Sequence, residues 1–74
     1  MRITYDPEAD AAYIYLTEKR GQVTTVKVNE RAFLDYGEAD ELVGIEILDA
    51  SRVMGFDRKR PQIKIDKTLA VCPT

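Results

Sequence analysis

The fold is decided by the stretch Leu42–Ser51, which reads Leu-Val-Gly-Ile-Glu-Ile-Leu-Asp-Ala-Ser and is the most apolar run in the chain. A continuous apolar run of this length indicates a strand that is buried on both sides. An edge strand of this kind would promote aggregation. We therefore expect Leu42–Leu48 to be a central strand, covered on both faces by its own chain or by another subunit.

Three segments before this strand also alternate apolar and polar side chains, as strands do. They are Met1–Tyr5, Tyr13–Thr17 and Val23–Tyr36. Asp6–Asp10 contains a proline and predicts a hairpin turn, in which Asp6 accepts hydrogen bonds from the backbone. The pattern leaves open whether Val23–Tyr36 is one strand or two, and we favour one bent strand with a bulge near Asn29.

The residues after Leu48 predict a short helix and then a polar tail. Asp49 and Ser51 belong to the residue types that cap a helix at its start, and Gly55 suits the position just past its end. Gln62–Asp66 alternates again and is a candidate for a fifth strand at an edge. The predicted fold is mainly β. It is an antiparallel four-stranded meander with one short helix after strand four, and Gln62–Asp66 is the candidate for an additional fifth strand at an edge.

Length and composition limit what can stabilise the chain. Its 74 residues make one domain, and a domain of this size buries only about 60% of its unfolded surface. Cys72 is the only cysteine and histidine is absent, which argues against a disulfide and against zinc or copper sites. We expect no cofactor and no metal. Of the usual ways to stabilise so small a domain, association with another chain is the one that remains. We therefore predict a homodimer or a higher homo-oligomer.

Charge and targeting signals narrow the classes of partner. The net charge of −2 argues against non-specific nucleic-acid binding, which depends on an excess of Lys and Arg. The short basic cluster Arg58–Arg60 is interpreted as a solvated loop. Neither a signal-peptide core nor a run of membrane-spanning length is found, so we expect a cytoplasmic protein with no membrane partner.

Three carboxylates, Asp6, Asp10 and Glu46, are the candidates for chemistry, because carboxylates act as acids or bases and bind hard divalent cations. For Asp6 and Asp10 we favour a structural role, since turns prefer aspartate. Glu46 either pairs with Lys27 or Arg31 across the ladder or has a raised pKa that marks a site. We favour the ion pair.

Tyrosines on both sides of the predicted sheet point to an interface, where this residue type is enriched. Tyr13 and Tyr15 lie on the opposite side of their strand from Ile14 and Leu16, so one core cannot hold all four. The predicted interface residues are Tyr13, Tyr15, Leu42, Leu48, Val53 and Met54. No residue is predicted to be catalytic, because no histidine is present to activate a serine or cysteine.

Two motifs resemble a known family. Ile3–Asp10 reads Ile-Thr-Tyr-Asp-Pro-Glu-Ala-Asp, and with Tyr13-Ile14 and the stretch Leu42–Ser51 it is similar to the small prokaryotic family called domain of unknown function 2283. The resemblance covers residues 1–54, and residues 55–74 form a C-terminal extension. It implies a small cytosolic protein without an established activity, some of whose relatives look like partners of small neighbouring proteins in toxin–antitoxin-type gene pairs.

These observations favour a non-catalytic protein-interaction module that self-associates and binds a small protein partner in an antitoxin-like way. The acid excess predicts a basic partner. The alternative, from a different class, is a small acid–base or divalent-metal-dependent enzyme that uses Asp6, Asp10 and Glu46. Nucleic-acid binding through Arg58–Arg60 ranks last.

Overall fold

The computed structural model of the chain describes residues 1–18 and 21–65, and in this part five strands and one short helix are formed. Their bounds are β1 Arg2–Asp6, β2 Ala11–Tyr15, β3 Thr24–Asn29, β4 Ala32–Tyr36, β5 Leu42–Leu48 and α1 Ala50–Met54. The chain is mainly β, as the sequence predicts. Within the described ranges no helix has the length and apolar character needed to cross a membrane.

All five strands join in one antiparallel sheet of order β1-β2-β5-β4-β3. The central position predicted for Leu42–Leu48 is confirmed. The predicted meander is wrong, because β2 pairs with β5 and not with the strand that follows it. The longest and most apolar strand thus takes the place where both of its edges are bonded, and the β1–β2 hairpin lies on one side of it with the β3–β4 hairpin on the other.

The single bent strand predicted over Val23–Tyr36 is also wrong. This segment folds into the antiparallel hairpin of β3 and β4, with Glu30 and Arg31 in the turn. The Asn29 side chain accepts a hydrogen bond from the Arg31 N–H at 2.8 Å, which is the local bonding that makes asparagine a turn residue. A register shift between Lys27 and Asn29 accompanies the turn. The irregularity that the sequence predicts near Asn29 is therefore present, but there the chain turns back on itself and does not continue as one bent strand.

The C-terminal segment does not supply a fifth strand in the part of the chain that the structure describes. Residues 61–65 have no ladder pairing, and Asp66, the last residue of the predicted strand, lies outside the described residues, as does Cys72. The fifth strand of the sheet comes from the split of Val23–Tyr36 instead. The basic loop before this segment is anchored, because the Arg58 guanidinium donates to the carbonyls of Pro7 and Glu8, both at 2.9 Å.

The helix follows β5 directly, as predicted, and its C-terminal end is capped as expected. The Gly55 N–H donates to the Ser51 carbonyl. Gly55 also has a φ of 74°, a left-handed conformation that glycine adopts at little cost. Asp49 occupies the N-cap position, but its side chain makes no capping hydrogen bond. The predicted cap is therefore wrong: at a φ of 55° the Asp49 carboxylate binds Arg52 and Arg31 at 2.5 and 3.3 Å.

The core of the described chain is small. Its buried apolar side chains are Ala12, Val43 and Ala50, and no large side chain among the described residues is fully buried. The helix packs against β2 and β5 alone among the strands. A single sheet with one short helix thus leaves most of its large apolar side chains partly in contact with solvent.

Candidate functional site

The two faces of the sheet differ in charge. Residues directly opposite each other in an antiparallel ladder share a face, and one such row, Ile3–Ile14–Ile45–Leu34–Val26, crosses all five strands. With its neighbours along the strands this row defines the apolar face: Ile3, Tyr5, Ala12, Ile14, Thr24, Val26, Ala32, Leu34, Tyr36, Val43, Ile45 and Ile47. None of these side chains is charged.

The opposite side, here the polar face, holds every charged residue whose side is fixed by the strand register. Its members are Arg2, Thr4, Asp6, Ala11, Tyr13, Tyr15, Thr25, Lys27, Phe33, Asp35, Gly44, Glu46 and Leu48. A sheet with one charged and one uncharged face exposes the first to water and packs the second against another layer.

Within residues 1–18 and 21–65 the second layer covers only part of the apolar face. Helix α1 contacts β2 and β5, and the Phe56 ring packs edge-on against Tyr5 with centroids 4.9 Å apart. Pro61 and Ile63 line an apolar cavity of about 430 Å³ beside Ile3. All these contacts lie towards the β1 side of the sheet.

The other side of the apolar face, over β4 and β3, is not covered by any part of the chain that the structure describes. Every residue of β3 is exposed, and Val26 keeps 45% of its surface in contact with solvent. Leu34 on β4 is half-buried. An uncharged and uncovered surface of this kind is typical of a docking site.

Tyr13 is engaged within its own chain on the polar face. Its hydroxyl donates to one oxygen of Asp35, and the Thr25 hydroxyl donates to the other at 2.6 Å. Only 8% of Asp35 is exposed, so these bonds satisfy a carboxylate that is largely withdrawn from water. The bonds connect β2, β4 and β3 across the sheet.

Gly44 makes this arrangement possible. A Cβ atom at this position of β5 would lie 2.5 Å from Cζ of Tyr13 and would overlap the hydroxyl. The phenol ring therefore passes over β5 only because residue 44 has no side chain. The Tyr13 ring also packs 4.6 Å from the ring of Tyr15, which carries the Arg2 guanidinium at 3.9 Å from its centroid.

Asp10 connects the β1–β2 turn to the helix. Its carboxylate accepts from the Tyr5 hydroxyl at 2.5 Å and from the Ser51 N–H and hydroxyl at 3.0 and 2.8 Å. Its carbonyl accepts from the Ala50 N–H at 2.8 Å. Asp10 thus performs the capping that the sequence predicts for Asp49, from a position that is remote in the chain and has a φ of 51°.

These bonds shift the pKa values of Asp10 and Tyr5 in opposite directions. The Tyr5 hydroxyl, ahead of the two donors of Ser51, holds the pKa of the Asp10 carboxyl below its usual value. Burial, followed by the bond to Asp10, raises the pKa of Tyr5 to about 12. The pair therefore stays as phenol and carboxylate over the whole neutral range.

The three candidate carboxylates are not brought together. Asp6 accepts from the Glu8 and Ala9 N–H groups at 3.0 and 3.4 Å, as its predicted turn role requires. Asp10 lies at the helix start and Glu46 on the polar face of β5. In the described part of the chain no three aspartate, glutamate, histidine or cysteine side chains lie close enough to hold a metal ion together.

The ion pair predicted for Glu46 is wrong. Lys27 pairs with Glu30 at 3.2 Å, and Arg31 pairs with Asp49 at 3.3 Å. Glu46 stands in register between Tyr13 and Phe33, and within residues 1–18 and 21–65 it has no hydrogen bond or ion pair. Glu46 is half-buried and lies on the polar face. On that face a carboxylate is solvated by water and needs no cation to pair with.

The six predicted interface residues do not form one surface. Tyr13, Tyr15 and Leu48 belong to the polar face, and Leu42 lies opposite Tyr36 at a register shift of the ladder. Val53 and Met54 are on α1, with Val53 51% exposed. Their role in an interface stays a prediction. The sequence analysis did not single out Val26, Leu34 and Ile45, which lie side by side on the apolar face. Only the pairing register of the strands, which the sequence does not show, brings them together.

Comparison with known proteins places the chain in a family. The family model described as "Protein of unknown function (DUF2283)" matches residues 2–51. The chain belongs to the DUF2283 family. The match spans all five strands and the first residues of α1. The resemblance predicted from the two motifs is confirmed. No curated protein and no solved structure matches the chain.

The hydrogen-bonded residues described above lie within the part of the chain that the family model matches. Tyr13, Asp35 and Gly44 lie within the part matched by the DUF2283 model, as do Asp10 and Ser51. The segment that covers the β1 side of the apolar face, residues 56–65, lies outside it. The sheet and its two hydrogen-bond networks therefore lie within the part of the chain that matches the DUF2283 model.

Proposed function

We propose that the chain is a non-catalytic protein-interaction module that works as a homo-oligomer and uses its apolar face as the contact surface. One observation carries the proposal: an uncharged row of side chains crosses five strands, whereas α1 packs against only two of them. An amphipathic sheet is stable when its apolar face packs against a second layer. The described residues of this chain supply only part of that layer.

The size of the face predicts the strength of the association. The open part of the apolar face, over β4 and β3, is two strands about 4.8 Å apart and five residues of about 3.3 Å each, which gives roughly 160 Å² of flat sheet. A standard interface buries about 800 Å² on each partner. The open area is well below that size, so we expect a weak association. The expected dissociation constant is about 100 μM, which corresponds to about −5.5 kcal/mol.

The separation of the carboxylates supports the non-catalytic reading over the enzyme alternative. Acid–base catalysis by paired carboxylates requires them to reach the same substrate, and Asp6, Asp10 and Glu46 occupy three different places in the sheet. Two of the three already serve as acceptors for backbone N–H groups.

Binding of a small basic protein, in the antitoxin-like manner, is the second part of the proposal. It is supported by 13 acidic against 11 basic residues and by the exposed carboxylates of Glu38, Asp40 and Glu41 in the β4–β5 loop. Co-purification from the native host at low and high salt tests it, followed by reconstitution from the two pure components. Recovery of the chain alone at low salt would count against this part.

A matched pair of lysine substitutions tests the self-association. Val26→Lys places a charge on the open apolar face of one edge strand, and Thr4→Lys places the same charge on the polar face of the other. Both sites are exposed, so both variants should fold. Light scattering after gel filtration at high micromolar concentration should give monomeric Val26→Lys and associated Thr4→Lys and wild type. Equal masses for the two variants would contradict the proposal.

A further inference from the structure

The open part of the apolar face points to a specific mode of association, an inference that rests on the self-association proposed above. We propose that a second copy of this chain packs its own β3–β4 half onto that of the first, in a two-fold contact centred on Leu34. The half consists of Val26 on β3 and Ala32, Leu34 and Tyr36 on β4. The two sheets then form the inner layers of a small β-sandwich.

The location follows from what is already covered. Phe56, Pro61 and Ile63 lie beside β1 and β2, and α1 contacts β2 and β5. A second sheet meets these groups if it approaches the β1 side, but it meets bare side chains over β4 and β3. Val26, with 45% of its surface exposed, marks the open side.

A second copy fits this patch better than a charged partner does. The patch contains no Asp, Glu, Lys or Arg and so needs no charge of opposite sign, which lets the same surface act as its own complement. A two-fold contact repeats one patch on both subunits and therefore requires this self-complementarity. Two stacked sheets lie about 10 Å apart, a spacing that leucine, valine and tyrosine side chains fill.

Contact through the face is favoured over contact through the free edge of β3. Lys27 and the register shift between Lys27 and Asn29 both lie on this edge strand. A lysine and a bulge are the features that keep edge strands from pairing with other sheets. The unbonded edge is thus protected, while the apolar face beside it is not.

Leu34 is the natural centre of the contact. It stands between Val26 and Ile45 across the sheet, and between Ala32 and Tyr36 along β4. With the two-fold axis along the strands, β4 of one copy lies over β4 of the other and the covered β1 sides point in opposite directions. A residue at the centre of the patch then faces its own copy. Its neighbour Phe33 is on the same strand and on the opposite face.

Cysteine cross-linking of the full chain tests this arrangement. Leu34→Cys and Phe33→Cys are each made together with Cys72→Ser, and both are treated with a bismaleimide whose reach is about 10 Å, the distance between stacked sheets. On a denaturing gel the Leu34→Cys protein should give a covalent dimer in high yield, and the Phe33→Cys protein should give little covalent dimer. Equal yields, or a higher yield from Phe33→Cys, would overturn the two-fold contact.

A second measurement needs no substitution. In a mixture of isotope-labelled and unlabelled wild type, isotope-filtered NMR should show contacts from the Leu34 methyl groups to Val26 or Tyr36 of another copy. A dimeric mass without these contacts and without the Leu34 cross-link would overturn the inference but leave the self-association intact. A monomeric mass at every concentration would overturn both.

Discussion

Tyr13 on β2 donates its hydroxyl hydrogen to Asp35 on β4, although β5 lies between the two strands. The phenol spans the intervening strand because Gly44 leaves room above it. The residue pair therefore joins the two hairpins of the sheet to each other across the central strand. It also explains a glycine in the middle of the most apolar strand, where this residue usually weakens a sheet.

Replacing Gly44 by alanine should destabilise the chain. The new methyl group would occupy the path of the Tyr13 ring, and overpacking of this kind costs about 1–3 kcal/mol. Urea unfolding followed by circular dichroism measures the free energy of unfolding. Gly37→Ala is the control, because the nearest atoms to its methyl group would belong to the carboxylate of Glu41, the far end of a flexible side chain. An equal loss in the two variants would contradict the role of Gly44.

The bond between Tyr5 and Asp10 predicts how stability depends on pH. The pKa of folded Asp10 lies below the ordinary value of 3.8, so its contribution is present above that value and is lost as the pH falls through the lower folded pKa. The pKa of Tyr5 is raised from 10.0 to about 12. Its contribution is therefore complete below pH 10 and is lost between pH 10 and about 12.

Urea midpoints measured from acid to alkaline pH check this dependence in wild type and in Tyr5→Phe. The variant should be less stable at neutral pH, because the Asp10 carboxylate loses one donor. It should also show a smaller loss between pH 10 and 12, the interval over which Tyr5 of the wild type ionises. Parallel curves for the two proteins over that interval would show that Tyr5 is not the group that titrates.

The start of α1 should depend on Asp10 more than on Asp49. Asp10→Asn weakens the acceptor of both Ser51 donors, whereas Asp49→Asn removes ion pairs that are exposed to solvent and contribute about 0–1 kcal/mol. Thermal unfolding should show the larger decrease in Tm for Asp10→Asn. A larger decrease for Asp49→Asn would restore the cap predicted from the sequence.

Glu46 should prove dispensable for folding. Because it has no hydrogen bond or ion pair among the described residues, Glu46→Gln should change the free energy of unfolding by less than about 0.5 kcal/mol. Chemical denaturation of the two proteins at neutral pH checks this. A loss of more than about 2 kcal/mol would indicate a buried partner for the carboxylate.

The central strand and the family were predictable because both depend on local sequence. Leu42–Leu48 is apolar on both faces whatever surrounds it, and the motif around Asp6 and Pro7 is contiguous. The order of the strands was not predictable in the same way. Whether Asn29 produces a bulge or a reversal depends on where β4 finds its partner, and β5 is far away in the sequence.

The candidate site shows the same division. The turn role of Asp6 involves donors within three residues and was predicted from the sequence. The role of Asp10 involves Ser51, 41 residues away, and local pattern pointed to Asp49 instead. The apolar face likewise becomes visible only when the register brings Ile3, Leu34 and Val26 into one row.

The central claim is that the open apolar face is covered by another copy of the chain. Sedimentation equilibrium of the wild type from about 1 μM to about 500 μM tests it most directly, since this range brackets the expected dissociation constant of about 100 μM. The mass should rise from the 8.4 kDa of one chain towards twice that value. A mass that stays at 8.4 kDa throughout, in a sample that remains folded, would contradict the claim.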